Sequence, residues 1–142
     1  MIIEEDLRAK ITALHEQNKD TLTSLIGMKF TTYKRDEVVA TMPVDERTKQ
    51  PFGLLHGGAS VALAEALASI GAWLNVDETK FNVVGMEINA NHIRAVTSGT
   101  VTGTATPLHR GRTTHVWEIK IRTEDNKLVC ASRCTLAIVA TK

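Results

Sequence analysis

The chain has 142 residues, 43% of them hydrophobic and 23% charged, with 17 Lys and Arg against 16 Asp and Glu. That length suits one globular domain with a core of its own, and a net charge of +1 excludes the basic footprint of a nucleic-acid binder. No run of 18 apolar residues is free of charge, and the acidic start Met1-Ile2-Ile3-Glu4-Glu5-Asp6 lacks a signal-peptide pattern, so a cytoplasmic protein without a membrane segment is expected.

Residues 4–17 carry Leu7, Ile11 and Leu14 at helical spacing among charged and amide side chains, which predicts an amphipathic helix. Residues 19–26 predict a second, short helix ended by Gly27. Residues 1–26 are thus an N-terminal helical segment, and 27–142 the main domain. From Met28 to Met42 the pattern becomes period two and β-branched, which predicts two strands, with Tyr33 to Glu37 as a solvated polar turn between them. Pro43 to Leu55 then reads as a loop holding two of the three prolines and Gln50. Irregular connections of that length are usually functional.

Ala59 to Leu74 is dominated by Ala and Leu, so it predicts a helix, and its apolar circumference predicts burial nearly all round. Strand patterns follow at 81–95, 99–109, 112–123 and 127–140, with turn residues at Ser98-Gly99, Arg110-Gly111 and Asp125-Asn126. Four consecutive long strands with short connections predict an antiparallel meander. The expected architecture is α+β, one long buried helix wrapped by an antiparallel sheet. Cys130 and Cys134 share the last strand about 13 Å apart. A disulfide needs Cα atoms within about 7 Å, so both are expected as small buried side chains.

Glu65 is the only ionisable residue in this helix. An unpaired buried carboxylate costs several kcal/mol, so it must leave through an exposed seam, find a partner, or be held at a functional cleft. His56-Gly57-Gly58 stands immediately before the helix. Two glycines and unpaired first-turn N–H groups suit a developing negative charge, though the same tripeptide also makes a plain tight turn. Ser69 lies one turn beyond Glu65 on the same face, either toward a shared ligand or bonded back to its own helix.

Gly57 and Glu65 are eight residues apart, about 12 Å along a helix. If both act on one carbonyl they must come from different chains, which predicts an oligomer with antiparallel central helices. Gly58-Ala59-Ser60-Val61-Ala62 nearly fits a nucleophile elbow, but its last position is not Gly and Ser60 follows a loop, which leaves Ser60 as an early-helix residue. His92, Arg94, His109, Arg110 and Arg112 are expected to cluster at the ends of two neighbouring strands, as anion contacts or as solvated turn residues. His15 and His115 have no context beyond surface or core.

Three stretches carry a likeness: Met42-Pro43-Val44-Asp45; Thr48-Lys49-Gln50-Pro51-Phe52-Gly53-Leu54-Leu55-His56-Gly57-Gly58-Ala59-Ser60 with Leu63-Ala64-Glu65; and Val83-Val84-Gly85-Met86-Glu87-Ile88-Asn89-Ala90-Asn91-His92. Across residues 25–140 the chain resembles the hotdog-fold acyl-CoA thioesterases, in the branch of the 4-hydroxybenzoyl-CoA and 1,4-dihydroxy-2-naphthoyl-CoA thioesterases. The resemblance implies a hotdog fold, a homotetramer built as a dimer of dimers, and hydrolysis of an acyl-CoA thioester without metal or organic cofactor.

By the same resemblance, Glu65 matches the catalytic carboxylate, as nucleophile or general base, and Gly57 the N–H that polarises the thioester carbonyl. Gln50 and His56 match a polar pair on the carbonyl and thiolate side, and Ser69 a hydroxyl that positions water or the acyl group. His92, Arg94 and Arg112 become contacts for the phosphates of coenzyme A. Two other functions fit such a fold: a non-catalytic acyl-CoA binder, against which Glu65 argues, and a hydratase or dehydratase, whose acid–base motif is not apparent. The acyl pocket is expected along residues 28–33 and near Trp73, for an aromatic or a medium-chain group.

Overall fold

In the computed structural model, which describes residues 1–142, the elements run β1 (Ile2–Ile3), a 3₁₀ turn (Glu5–Leu7), α1 (Arg8–Gln17), α2 (Leu22–Leu25), β2 (Lys29–Lys34), β3 (Glu37–Pro43), α3 (Gly57–Leu74), β4 (Phe81–His92), β5 (Thr100–Arg110), β6 (Thr114–Arg122) and β7 (Leu128–Ala140). One seven-stranded sheet, in the order β1-β2-β3-β5-β6-β7-β4, wraps around α3. Every pairing is antiparallel except β1 with β2. The α+β class and the helix-in-sheet architecture follow the sequence pattern.

The inward faces of β3, β5, β6 and β7 alternate buried and half-buried residues, as period-two strands must. Val38, Ala40, Val101, Ala105, Trp117, Ile119, Cys134 and Leu136 meet Leu63, Ala64, Leu67, Ala68 and Ala72 of α3 in one core. Burying side chains of this size is worth about 1.5–3 kcal/mol each, which sets the register of the sheet against the helix. Leu7 and Ile11 add the N-terminal segment to that core. Lys10 fastens it: its Nζ donates to the carbonyls of Trp73 (2.7 Å) and Val76 (2.8 Å), pairs with Glu78 (2.7 Å) and lies over the Trp73 ring.

Three expectations are corrected. The last four strands are not a meander, because β4 pairs with β7 at the sheet edge while β5 pairs with β3. Residues 93–99 carry the chain across; three strand spacings are about 14 Å, and seven residues reach about 24 Å, so connection length permits either topology. Secondly, α3 is buried along one side only. Val61, Ala62, Glu65, Ala66, Ser69 and Trp73 remain half-exposed, because one chain's sheet covers only half the helix circumference. Thirdly, Tyr33 belongs to β2 and is 1% exposed; only Arg35 and Asp36 make the turn.

By length and composition α3 could also cross a bilayer. Its apolar side is packed into the sheet instead.

Candidate active site

The loop before α3 decides how the helix begins. His56 is its N-cap, in the extended conformation (φ −66°, ψ 128°), and Gly57 is already the first helical residue. The His56 carbonyl accepts from the N–H groups of Ala59 and Ser60, and its Nδ1 accepts from Gly58 N–H at 2.8 Å. The Ser60 bond is the first regular helix bond. Of the four donors that a helix leaves without internal partners, His56 thus takes two, those of Gly58 and Ala59, while the N–H of His56 itself donates to the Thr48 carbonyl at 2.8 Å. Only the Gly57 N–H is left over, at the positive end of the helix dipole.

Gly57 lines a cleft of about 340 Å3 together with Gln50, Ser60, His92 and Arg94. The His92 ring covers Gly57, with Nε2 only 2.9 Å from where a Cβ on that residue would stand. Gln50 is held by its own loop: its Oε1 accepts from Phe52 N–H, which commits the oxygen and leaves the amide nitrogen to donate elsewhere. Gln50, Gly57, His92 and Arg94 therefore converge on one cleft. His56 does not join them; its side chain is spent on the cap.

Two turns along α3, the Glu65 side chain lies over the backbone of Gly85 in β4, and a Cβ on Gly85 would come within 2.6 Å of its Oε1. Glu65 is half-buried and takes part in none of the chain's ion pairs. Glu65 thus stands on the half-open face of α3, beside the edge strand β4. Beneath it lies Cys134, whose thiol is pushed up to about 12 by burial and then by the negative charges of Glu65 and Glu87. That thiol stays protonated at neutral pH, so it is no nucleophile.

Gly85 is the residue that sequence reading missed. It opens a register shift in which Met86 is extra between the pairs Gly85–Leu136 and Glu87–Thr135. A Gly before a bulge signals a close approach to the backbone, and here Glu65 makes that approach.

Ser69 lies one turn farther along, half-buried, in the wall of a cavity of about 230 Å3 that also holds Phe30 and Tyr33 of the 28–33 segment. Trp73 lines the adjoining open cleft with Phe81 and Val83. The cationic cluster is divided. His92 and Arg94 stand by Gly57, while Arg110 and Arg112 line a separate pocket with Asn75 and Asp77, past the C-terminal end of α3. The split follows from strand direction: β4 runs antiparallel to β5, so the strands end on opposite sides of the sheet. His115 is a core residue of that second pocket, its pKa pushed down by burial and by Arg110 and His109. No three His, Cys, Asp or Glu side chains converge as a metal site.

A family model for the thioesterase superfamily matches residues 52–130, the span from the loop before α3 to the start of β7. The chain belongs to the thioesterase superfamily. It is 47% identical, over 93% of its length and 98% of the relative's, to a 1,4-dihydroxy-2-naphthoyl-CoA hydrolase of Escherichia coli. The crystal structure of a mutant thioesterase from Pseudomonas aeruginosa matches it with TM-score 0.88 and 46% identity, covering 92% of this chain and 94% of that one. A thioesterase from Haemophilus influenzae matches with TM-score 0.85 and 50% identity, covering 89% and 88%. The fold is the hotdog fold, and this superfamily member is a thioester hydrolase.

Proposed function

We propose that this thioesterase hydrolyses an acyl-CoA, with Glu65 as the reacting carboxylate and the Gly57 N–H as the oxyanion donor. The observation that carries the reading is the division of labour along α3: one unpaired donor at its first residue, one unpaired carboxylate on its open face. A thioester carbonyl polarised by the Gly57 N–H becomes electrophilic, and the charge that develops on its oxygen meets a fixed dipole and no reorganising solvent. Glu65 then either takes a proton from the attacking water or adds to the carbonyl itself. In the first route the tetrahedral intermediate collapses, the C–S bond breaks and Glu65 returns the proton to the thiolate of coenzyme A. In the second, the thiolate leaves first and water opens the acyl-glutamyl anhydride.

Eight residues of helix separate the two groups by about 12 Å, too far for one carbonyl. The open face of α3 and the exposed edge of β4, where Val84 and Met86 are 52% and 63% exposed, supply what a second copy needs to close the site. Each site then takes Gly57 from one copy and Glu65 from the other, within a tetramer of two such dimers. Gln50 and His92 hold the carbonyl side, and Arg94 meets the phosphates of coenzyme A as it leaves the cleft. The relative from Escherichia coli, named for an aromatic acyl-CoA, supports this substrate class.

The test is release of free thiol from a panel of aromatic and aliphatic acyl-CoAs. Turnover yielding one thiol per free acid is expected. Saturable binding without thiol release would establish a binder instead, and consumption of an enoyl-CoA without thiol release a hydratase.

The contact at Gly85 gives a second expectation. Gly85→Ala places a methyl group where Glu65 Oε1 stands; the carboxylate can swing aside, so the fold survives and the alignment does not. Misplacements of about 1 Å cost up to 10²-fold, so kcat should fall by about tenfold or more with the thermal unfolding midpoint little changed. Steady-state kinetics beside a melting curve decides it, and an unaltered kcat removes this contact from the mechanism.

A further inference from the structure

β2 contains an irregularity that its sequence does not announce. Phe30 pairs with Ala40 and Thr32 with Val39, so Thr31 is an extra residue in the ladder. In a regular strand Phe30 and Tyr33 would face opposite sides. The bulge brings them to one side, where their rings stack with centroids 5.5 Å apart and planes 16° from parallel. Bulges recur beside active sites because they re-aim a side chain at the cost of ladder bonds.

What the bulge aims is the Tyr33 hydroxyl. Its partner is His15 of α1, with Nε2 2.8 Å from the phenol oxygen and the His15 ring edge-on to Tyr33. Both side chains line the 230 Å3 cavity whose other wall is Ala66, Ser69 and Ile70 of α3. Ala66 and Ser69 follow Glu65 on the same open side of the helix, so the cavity begins where the carboxylate ends. Phe30, Leu14 and Ile70 give it an apolar side, and the His15–Tyr33 pair, with Asn18, Thr23 and Ser69, puts polar atoms in its wall.

An apolar cavity of about 150 Å3 accepts a benzene ring. At 230 Å3 this one holds a ring and a substituent. A phenol has one donor and two acceptor sites, and its bond to His15 uses only one of them. Burial pushes Tyr33 up to about 12, so its proton is retained throughout the neutral range.

We propose that His15 and Tyr33 are specificity-determining residues, a linked pair that selects an aromatic acyl group bearing a ring hydroxyl over the same group without it. This rests on the acyl-CoA thioesterase reading above and adds which atoms read the acyl group. A site built to hydrogen-bond a substrate hydroxyl discriminates against the analogue lacking it, because the remaining capacity of the buried Tyr33 hydroxyl then goes unmet.

The experiment measures kcat/KM for benzoyl-CoA, its meta- and para-hydroxy derivatives and hexanoyl-CoA, with the native protein, Tyr33→Phe, His15→Leu and His15→Gln. In the native protein one hydroxybenzoyl-CoA should exceed benzoyl-CoA by about tenfold or more. Tyr33→Phe keeps the ring stack and should bring that ratio near one, the loss falling mainly on the hydroxybenzoyl-CoA. His15 is exposed, so His15→Leu tests the pair without disturbing the core; it should lower the ratio, and His15→Gln should restore part of it. A purely structural pair would lower all four rates together and leave the ratio alone, which overturns the proposal. So does a native protein that hydrolyses the panel with no hydroxyl preference, and in that case the thioesterase reading still stands. Absence of thiol release from every member overturns both.

Discussion

Glu65→Gln is expected to lower kcat by roughly 10³-fold, within the range of 10²–10⁴ that a positioned acid–base group contributes. The amide keeps the size and shape of the carboxylate. It packs over Gly85 as before, and because Glu65 takes part in none of the chain's ion pairs, no counter-charge is orphaned by its neutralisation. What it loses is the ability to attack a carbonyl or to accept a proton. KM should therefore change little, which is the signature of a group that acts in the transition state and not in binding. The thermal midpoint should hold or rise slightly, since a half-buried charge is removed from beside an apolar helix face. Steady-state kinetics and a melting curve on the same preparation check both halves. A variant that kept a tenth or more of native kcat, in rough terms, would put the chemistry elsewhere.

The solitary position of Glu65 was legible from the chain because its surroundings are so uniform: one carboxylate among alanines and leucines has few ways to be tolerated. The helix, expected from Ala59 and found to start two residues earlier at Gly57, and the strand-rich remainder were legible for the same reason, since each is set by local periodicity. What escaped is long-range. Nothing in residues 93–99 tells whether seven residues turn back or cross three strands, and that one ambiguity moved β4 to the edge. The separation of His92 and Arg94 from Arg112 has a different cause, since antiparallel strands end on opposite sides of a sheet in either topology. The expectation of an all-round buried α3 failed because periodicity reports apolar surface without reporting whose surface covers it. Tyr33 adjoins the charged run Lys34 to Glu37 and so reads as part of the turn, whereas it ends the buried side of β2, where the bulge at Thr31 aims it inward. His56 was legible as a residue of the site loop, but its part is geometric: it takes two of the four free helix donors, the Thr48 carbonyl takes a third, and the fourth, on Gly57, is left over.

Removing that fourth donor is the sharpest test of the oxyanion role. Gly57→Pro deletes the N–H and little else, since proline suits the first position of a helix and His56 before it already has the extended conformation that proline demands. The added ring atoms press on His92, so Gly57→Ala is the control: it brings the same Cβ against the His92 ring and keeps the N–H. Loss of one oxyanion donor costs about 10²–10³ in kcat, and that is the deficit expected of Gly57→Pro beyond Gly57→Ala, with KM nearly equal in the two. Equal kcat values for both would assign the effect to His92. If Gly57 and Glu65 serve one carbonyl from different copies, co-refolding Gly57→Pro with Glu65→Gln gives mixed dimers in which one site has both groups intact and the other neither. Random pairing makes half of the dimers mixed and half of their sites whole, so about a quarter of native activity should return from two nearly inactive parents. A site made within a single chain would stay inactive in every mixture, because each chain then carries its own lesion.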